Sequence, residues 1–284
     1  MQSPILTALG VSALLLAPAL ARADEPPAQT EREGSYATVN GLKMYYEVHG
    51  KGKPLVLLHG AFGWATVYPT LAKGRQVIAV ELQGHGHTAD IDRPLTFEQM
   101  ADDTAALLRH LKIKQADIFG YSMGGNVALA LAIRHPSLVG KVAINGSNFG
   151  KIAEAYEPGA FQQFKSMSSD FAPPILKNHY DKVAPDSKQW PVLVAKVKKM
   201  GLEFKGFSRE DLRSIKAPVL IAQGDHDLVR VEHAVEMFRL IPNAKLAILP
   251  GGDHFMIWIS PDKLFSVITD FLNAPVGEAK TQAP

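Results

Sequence analysis

Six short runs of aliphatic residues recur along the chain at intervals that leave room for a helix between them: "PLVLLHG", "QVIAVEL", "ADIFGYS", "KVAINGS", "PVLIAQGD" and "KLAILPGGDH". Each is apolar without alternation, as a strand must be when both of its faces are buried, and antiparallel surface strands rarely read this way. Between them, Trp64–Ala72, Thr96–Leu111, Met123–Arg134, Val231–Ile241 and Pro261–Leu272 carry helical spacing. A regular exchange of such strands and helices predicts an α/β fold, with a mostly parallel central sheet flanked by helices. "SYATV" and "LKMYYEVHG", joined by Asn40-Gly41, predict an opening hairpin and bring the expected strand count to about eight.

One block interrupts the pattern. Residues 148–207 hold Tyr156, Phe161, Phe164, Met167, Phe171, Tyr180, Trp190, Met200 and Phe204 among many charges, which predicts an inserted helical lid with an apolar underside. The predicted organisation is therefore a core of 36–147 and 208–273 with a lid of 148–207, after a linker of 24–35 and before a flexible tail of 274–284. Ahead of the linker, "PILTALGVSALLLAPAL" is short for a membrane span and carries Pro4 and Pro18. Ala21-Arg22-Ala23 matches a small-x-small cleavage site, so residues 1–23 read as a signal peptide and the chain as exported, periplasmic or secreted. No Lys or Arg precedes the apolar stretch, a departure from the usual leader. On this reading the processed chain has no integral membrane span.

Composition narrows the chemistry. Thirty basic and 28 acidic residues give a formal charge of +2, which argues against a nucleic-acid partner. There is no cysteine, so thiol nucleophiles and disulfides are excluded. The motif Gly120-x-Ser122-x-Gly124 falls between a predicted strand and a predicted helix. A sharp turn there lifts the serine hydroxyl clear of the surface, and a helix beginning at Met123 aims its unpaired N–H groups at the same spot. A serine needs a histidine base and a carboxylate that orients it. His254 follows the last buried strand, at the edge where Ser122 emerges. His59 ends another strand at that edge, but "HGAFG" reads better as a turn that supplies the Ala61 N–H to an oxyanion. After Gly224, Asp225 and Asp227 both qualify as the acid; Asp227 has the longer loop and is favoured, with Asp253 as a third candidate. Phe62 in the turn, with Phe161, Phe164 and Trp190 of the lid, are candidate substrate-binding residues.

These residues together resemble the α/β-hydrolase superfamily, from about Tyr36 to Leu272. The order nucleophile, acid, histidine is matched by Ser122, Asp227 and His254, the H-G-x turn by His59-Gly60-Ala61, and G-x-x-D by Gly224 to Asp227. The resemblance implies a second oxyanion N–H from Met123, an insertion after the sixth strand, and no cofactor. It implies a serine hydrolase of the lidded, esterase-like or lactonase-like branch, cleaving a carboxylic ester of a small to medium apolar substrate. A lactonase or carbon–carbon bond hydrolase with the same triad is the alternative, as is a ligand-binding protein with little turnover. "ELQGHGHT" departs from the family's D-x-R-G-x-G-x-S at Glu81, Gln83 and Thr88. Its His85-x-His87-x-x-Asp90 also has some look of a zinc loop, but the spacing is off and no metal site is expected. His110, His135, His179, His226 and His233 are assigned no role.

Overall fold

The computed structural model describes residues 34–63, 69–170 and 174–275; the proposed leader, most of the linker and most of the tail lie outside them. Eight strands form one sheet: β1 (Ser35–Val39), β2 (Leu42–His49), β3 (Lys53–Leu58), β4 (Arg75–Val80), β5 (Ala116–Tyr121), β6 (Val139–Asn145), β7 (Val219–His226) and β8 (Ala244–Asp253). Their spatial order is β1-β2-β4-β3-β5-β6-β7-β8. The first two pairings are antiparallel and the rest parallel. Asn40 and Gly41 both take positive φ, 48° and 81°, the backbone that a two-residue hairpin of right-handed twist requires.

Among the described residues the helices are α1 (Phe97–His110), α2 (Met123–Arg134), α3 (Ile152–Ala155), α4 (Pro158–Lys165), α5 (Pro174–Val183), α6 (Trp190–Glu203), α7 (Arg209–Ser214), α8 (Val231–Leu240), α9 (Met256–Ile259) and α10 (Pro261–Asn273). Thr96 caps α1, its Oγ1 accepting the Gln99 N–H at 3.0 Å. The helix expected over Trp64–Ala72 is described only as a 3₁₀ turn at Pro69–Ala72, and 64–68 lie outside the described residues. Strand side chains divide by parity. Val56, Leu58, Ile118 and Ile221 join one buried cluster with residues of α1, α2 and α8, while Leu55, Leu57, Phe119 and Leu220 join another with Phe265, Ile268 and Leu272 of α10. This two-sided burial is the reason β3 to β7 read as unbroken aliphatic runs; β8, expected to be buried on both faces, is instead the edge strand and is only partly buried, since nothing among the described residues pairs with its outer side.

β3 lies between β4 and β5, so the chain leaves β3 to one side, then returns across it to the other. Loops that follow such neighbouring strands diverge and leave a crevice at the carboxyl ends, where open α/β sheets bind ligands. The opposite edge is built for cohesion. Buried Asp117 receives Arg75 at 3.0 Å, Lys53 at 2.8 Å and the Lys141 N–H at 3.0 Å. Lys141 Nζ donates to the carbonyls of Phe271 and Leu272, both at 2.9 Å, and of Ala274, satisfying the C-terminal groups that α10 leaves open.

Helices α3 to α6 occupy the interval between β6 and β7 where the insertion was expected. The segment is closed at its neck, where the Phe207 N–H donates to Phe149 O at 2.8 Å. Lys196 of α6 donates to Asp90 at 2.5 Å and to the carbonyls of Ile91 and Arg93.

Candidate active site

Ser122 follows β5 with φ 51° and ψ −120°, a backbone that a residue with a side chain adopts only under constraint. The constraint is close packing. A Cβ on Gly120 would lie 2.3 Å from Gly124 O, and one on Gly124 would lie 2.1 Å from Leu58 O, so no larger residue fits either side of the turn. The Ser122 N–H donates to Asn145 O at 2.8 Å, and its carbonyl accepts from Ser147 Oγ and the Gly125 N–H, both at 2.9 Å. Ser122's own N–H and carbonyl are thereby occupied, and its side chain is partly exposed.

His254 Nε2 lies 3.0 Å from Ser122 Oγ, and His254 Nδ1 lies 2.8 Å from Asp227 Oδ1. A carboxylate can only accept there, so Nδ1 carries the proton and Nε2 is the free base. Asp227 and His254 are both buried, and Asp227 Oδ1 also accepts the Val229 N–H at 3.1 Å. The Tyr121 hydroxyl donates to His254 O at 2.9 Å and anchors the histidine's backbone. The rival carboxylates point elsewhere. Asp225 is exposed and accepts the Gly251 N–H at 2.8 Å, and Asp253 accepts the Phe255 N–H at 2.8 Å. β7 also runs two residues beyond Gly224, with a register break against β8 between Gly224 and His226.

Beside the serine, the turn after β3 is fixed by His59. Its Nε2 accepts the Leu82 N–H at 3.0 Å, so Nδ1 bears the proton and donates to Gly60 O at 2.8 Å. In a trans peptide the N–H opposes the C=O, so a held Gly60 carbonyl turns the Ala61 N–H the other way. A Cβ on Gly60 would lie 3.4 Å from the Cβ of Ser122, which sets the turn against the hydroxyl. Met123 is the first residue of α2, where an N–H has no intrahelical acceptor. Burial, and then the neighbouring His85, hold the His59 imidazole well below its ordinary pKa, so it stays neutral.

The expected pocket aromatics are dispersed. Phe62 and Trp190 are buried against each other with ring centroids 5.2 Å apart, and Trp190 donates its indole N–H to Ser169 O at 2.7 Å. Phe164 packs within the insertion, near Tyr156 and Gly201, and Phe161 lies under the Lys165 ammonium. The divergent "ELQGHGHT" stretch is a stapled turn. Thr88 Oγ1 donates to Glu81 O and accepts the Tyr45 N–H, the Glu81 carboxylate accepts the His87 N–H, and Gln83 joins Asp90 to Arg93. His85, His87 and Asp90 do not converge. Buried His85 donates to Gln83 O at 2.9 Å, His87 stacks on Tyr45, and Asp90 is taken by Gln83 and Lys196. Among the described residues no group of three potential ligands could hold a metal.

Sequence reasoning passed over His233, which is buried rather than on a helix surface. Its Nε2 accepts the N–H groups of Phe149 at 3.2 Å and Gly150 at 3.4 Å, and its ring stacks on Phe149. Tyr121 and Ser147 were missed as well. Tyr121 stands inside the serine motif itself, but nothing in the letters indicates the acceptor 133 residues away.

A profile of the alpha/beta hydrolase family matches residues 55–267. The chain belongs to this family. Serine hydrolase BPHL of Mus musculus is 28% identical over 280 residues, spanning 91% of this chain and 95% of that one. The 2-hydroxymuconate semialdehyde hydrolase of Pseudomonas sp. strain CF600 is 35% identical over 129 residues, 43% of this chain and 46% of that one. Among solved structures, the enol-lactonase of Burkholderia xenovorans LB400 superposes with a TM-score of 0.69 at 25% identity, covering 84% of this alpha/beta hydrolase and all of the lactonase.

Proposed function

We propose that this alpha/beta hydrolase is a serine hydrolase that cleaves carboxylic esters of small to medium apolar substrates through an acyl-enzyme. The observation that carries the reading is the unbroken relay from Ser122 Oγ through His254 to Asp227, at 3.0 and 2.8 Å. Ser122 Oγ attacks the carbonyl carbon while its proton passes to His254 Nε2. The oxyanion that forms accepts from the Ala61 and Met123 N–H groups, each such donor contributing about 3 kcal/mol to the transition state. As the tetrahedral adduct collapses, the C–O bond to the alcohol breaks and His254 returns the proton to the departing oxygen. Water then gives a proton to His254, attacks the acyl carbon and expels Ser122 Oγ, which recovers the proton as the acid leaves. Asp227 stabilises the imidazolium in both halves of the cycle.

An aryl phosphonate probe and an aryl ester test the reading together. One phosphonate per chain on Ser122, with steady ester turnover that Ser122→Ala abolishes, is the expected result. Activity in Ser122→Ala above about a hundredth of wild type would refute the serine mechanism, and stoichiometric labelling without turnover would favour the ligand-binding alternative. The likeness to an enol-lactonase favours a second reading, in which the carbonyl belongs to a cyclic ester. The same atoms act there, but the alcohol stays tethered to the acyl group. A panel of open and cyclic esters matched in acyl size separates the two by kcat/KM.

A further inference from the structure

Residues Gly60 to Gly63 form a turn closed by the Gly63 N–H donating to Gly60 O at 3.2 Å. Its third residue has φ of 77°, the pattern of a type II turn, and that position ordinarily belongs to glycine. Here it is Phe62. A side chain in left-handed backbone is disfavoured unless its surroundings hold it there, and the surroundings in question belong to the inserted helices. The Phe62 ring is 6% exposed and lies against Trp190, the first residue of α6. Trp190 is itself immobilised: it is 2% exposed, its N–H donates to Ser169 O, and Tyr180 packs on it with centroids 5.1 Å apart.

We propose that Trp190, acting through Phe62, is a positioning residue for the oxyanion turn, so that the Ala61 N–H is aligned only while the inserted helices sit on the core. The proposal rests on the serine-hydrolase reading above and adds to it a role for Trp190 other than lining the pocket. The Gly60 carbonyl has two donors, His59 Nδ1 from below and the Gly63 N–H from within the turn. Only the second depends on Phe62. Removing the Trp190 ring lets Phe62 relax to ordinary backbone, opens the turn and leaves the Gly60–Ala61 peptide with one tether. The transition state then loses alignment with a donor, whereas the ground state, which carries no oxyanion, loses nothing.

The test is a set of purified full-length variants, Trp190→Ala, Trp190→Phe, Phe62→Gly and the double Trp190→Ala/Phe62→Gly. Each is titrated at Ser122 with the phosphonate and assayed with an aryl ester. Each is also assayed for affinity toward a boronic acid, which forms a tetrahedral adduct, and toward an uncharged ether analogue of the ester. Trp190→Ala is expected to lower kcat by about 10- to 100-fold, less than the loss of a donor outright, with KM within about threefold. Boronate affinity should fall with kcat/KM while ether affinity holds, and Trp190→Phe should keep most of the activity. The double variant decides the matter, because glycine takes left-handed backbone unaided. It should recover kcat over Trp190→Ala. Equal weakening of boronate and ether, a rise in KM alone, or no recovery in the double variant would overturn the proposal. If Trp190→Ala does not fold, Trp190→Leu with and without Phe62→Gly serves the same comparison. Should wild-type protein take no phosphonate and turn over no ester, the parent reading fails instead; wild-type turnover with an unimpaired Trp190→Ala sinks this proposal alone.

Discussion

Asp225 and Asp227 stand two positions apart, and only their surroundings separate them. Asp227 is buried with one oxygen on His254 and Val229, while exposed Asp225 holds the Gly251 N–H and pairs with His226. Asp227→Asn should therefore lower kcat by roughly three to four orders of magnitude, since the amide cannot hold the Nδ1–H tautomer in place. Asp225→Asn should stay within about threefold of wild type, as surface changes usually do. Stopped-flow or steady-state turnover with a single aryl ester measures both, and a crippled Asp225→Asn would reassign the acid. Ser122 and His254 were legible because motif and strand-end position constrain them directly. Phe62 and Trp190 were legible only as candidate substrate-binding aromatics, since composition reveals a greasy surface and not which ring meets which. The left-handed φ of Phe62 has no sequence signal at all, because the letter expected there is glycine.

Strands and long helices were readable because burial on two faces, helical spacing and a glycine turn each leave a local mark: Asn40-Gly41 stands where the chain bends and Thr96 where α1 starts. The 81–93 loop was opaque because its order comes from side-chain bonds that close across it, Glu81 to His87 and Gln83 to Asp90 and Arg93, together with partners that only the folded chain brings near, Tyr45 at Thr88 and Lys196 at Asp90. Lys196 reaches this loop from the insertion, spanning 106 residues to Asp90. Replacing it, as Lys196→Met, removes a partly buried charge-assisted bond and two bonds to carbonyls, at a cost of about 1–3 kcal/mol. Hydrogen exchange should report it as faster exchange in α6 and the 88–93 loop, with β5 and α2 unchanged. Uniform acceleration across the sheet would show that the lysine supports the whole fold rather than this junction.

For the molecule as a whole, acid is the condition that bears hardest on the buried imidazoles. Burial lowers His85 and His233 to about 4 and holds His59 below its ordinary range. The unfolded chain binds these protons near pH 6.5. Each group thus contributes stability that is complete above that value and drains away as pH falls toward the folded pKa. For His233 the loss between pH 7.5 and 5 comes to about 2 kcal/mol. Urea midpoints at pH 7.5 and 5.0 check it. His233→Gln, which retains an acceptor for Phe149 and Gly150 but cannot take a proton, should lose less stability over that interval than wild type. An unchanged pH slope would mean that protonated His233 is accommodated.

The sheet's two edges divide labour in a way that bears on how such a chain can change. Ser122, Asp227, His254 and the Gly60–Gly63 turn all follow strand ends at one edge, while the Asp117, Arg75 and Lys141 network, with the α10 carbonyls it captures, closes the other. Mutations that retune what the crevice accepts therefore fall on loops outside the Asp117 network, and mutations that reinforce that network fall out of reach of the reacting atoms. Selection can act on the two at separate positions. A library of crevice variants grafted onto a scaffold first hardened around Lys141 would lose fewer members to misfolding than the same library in the parent, and this tolerance is inherited from the order in which eight strands were laid side by side.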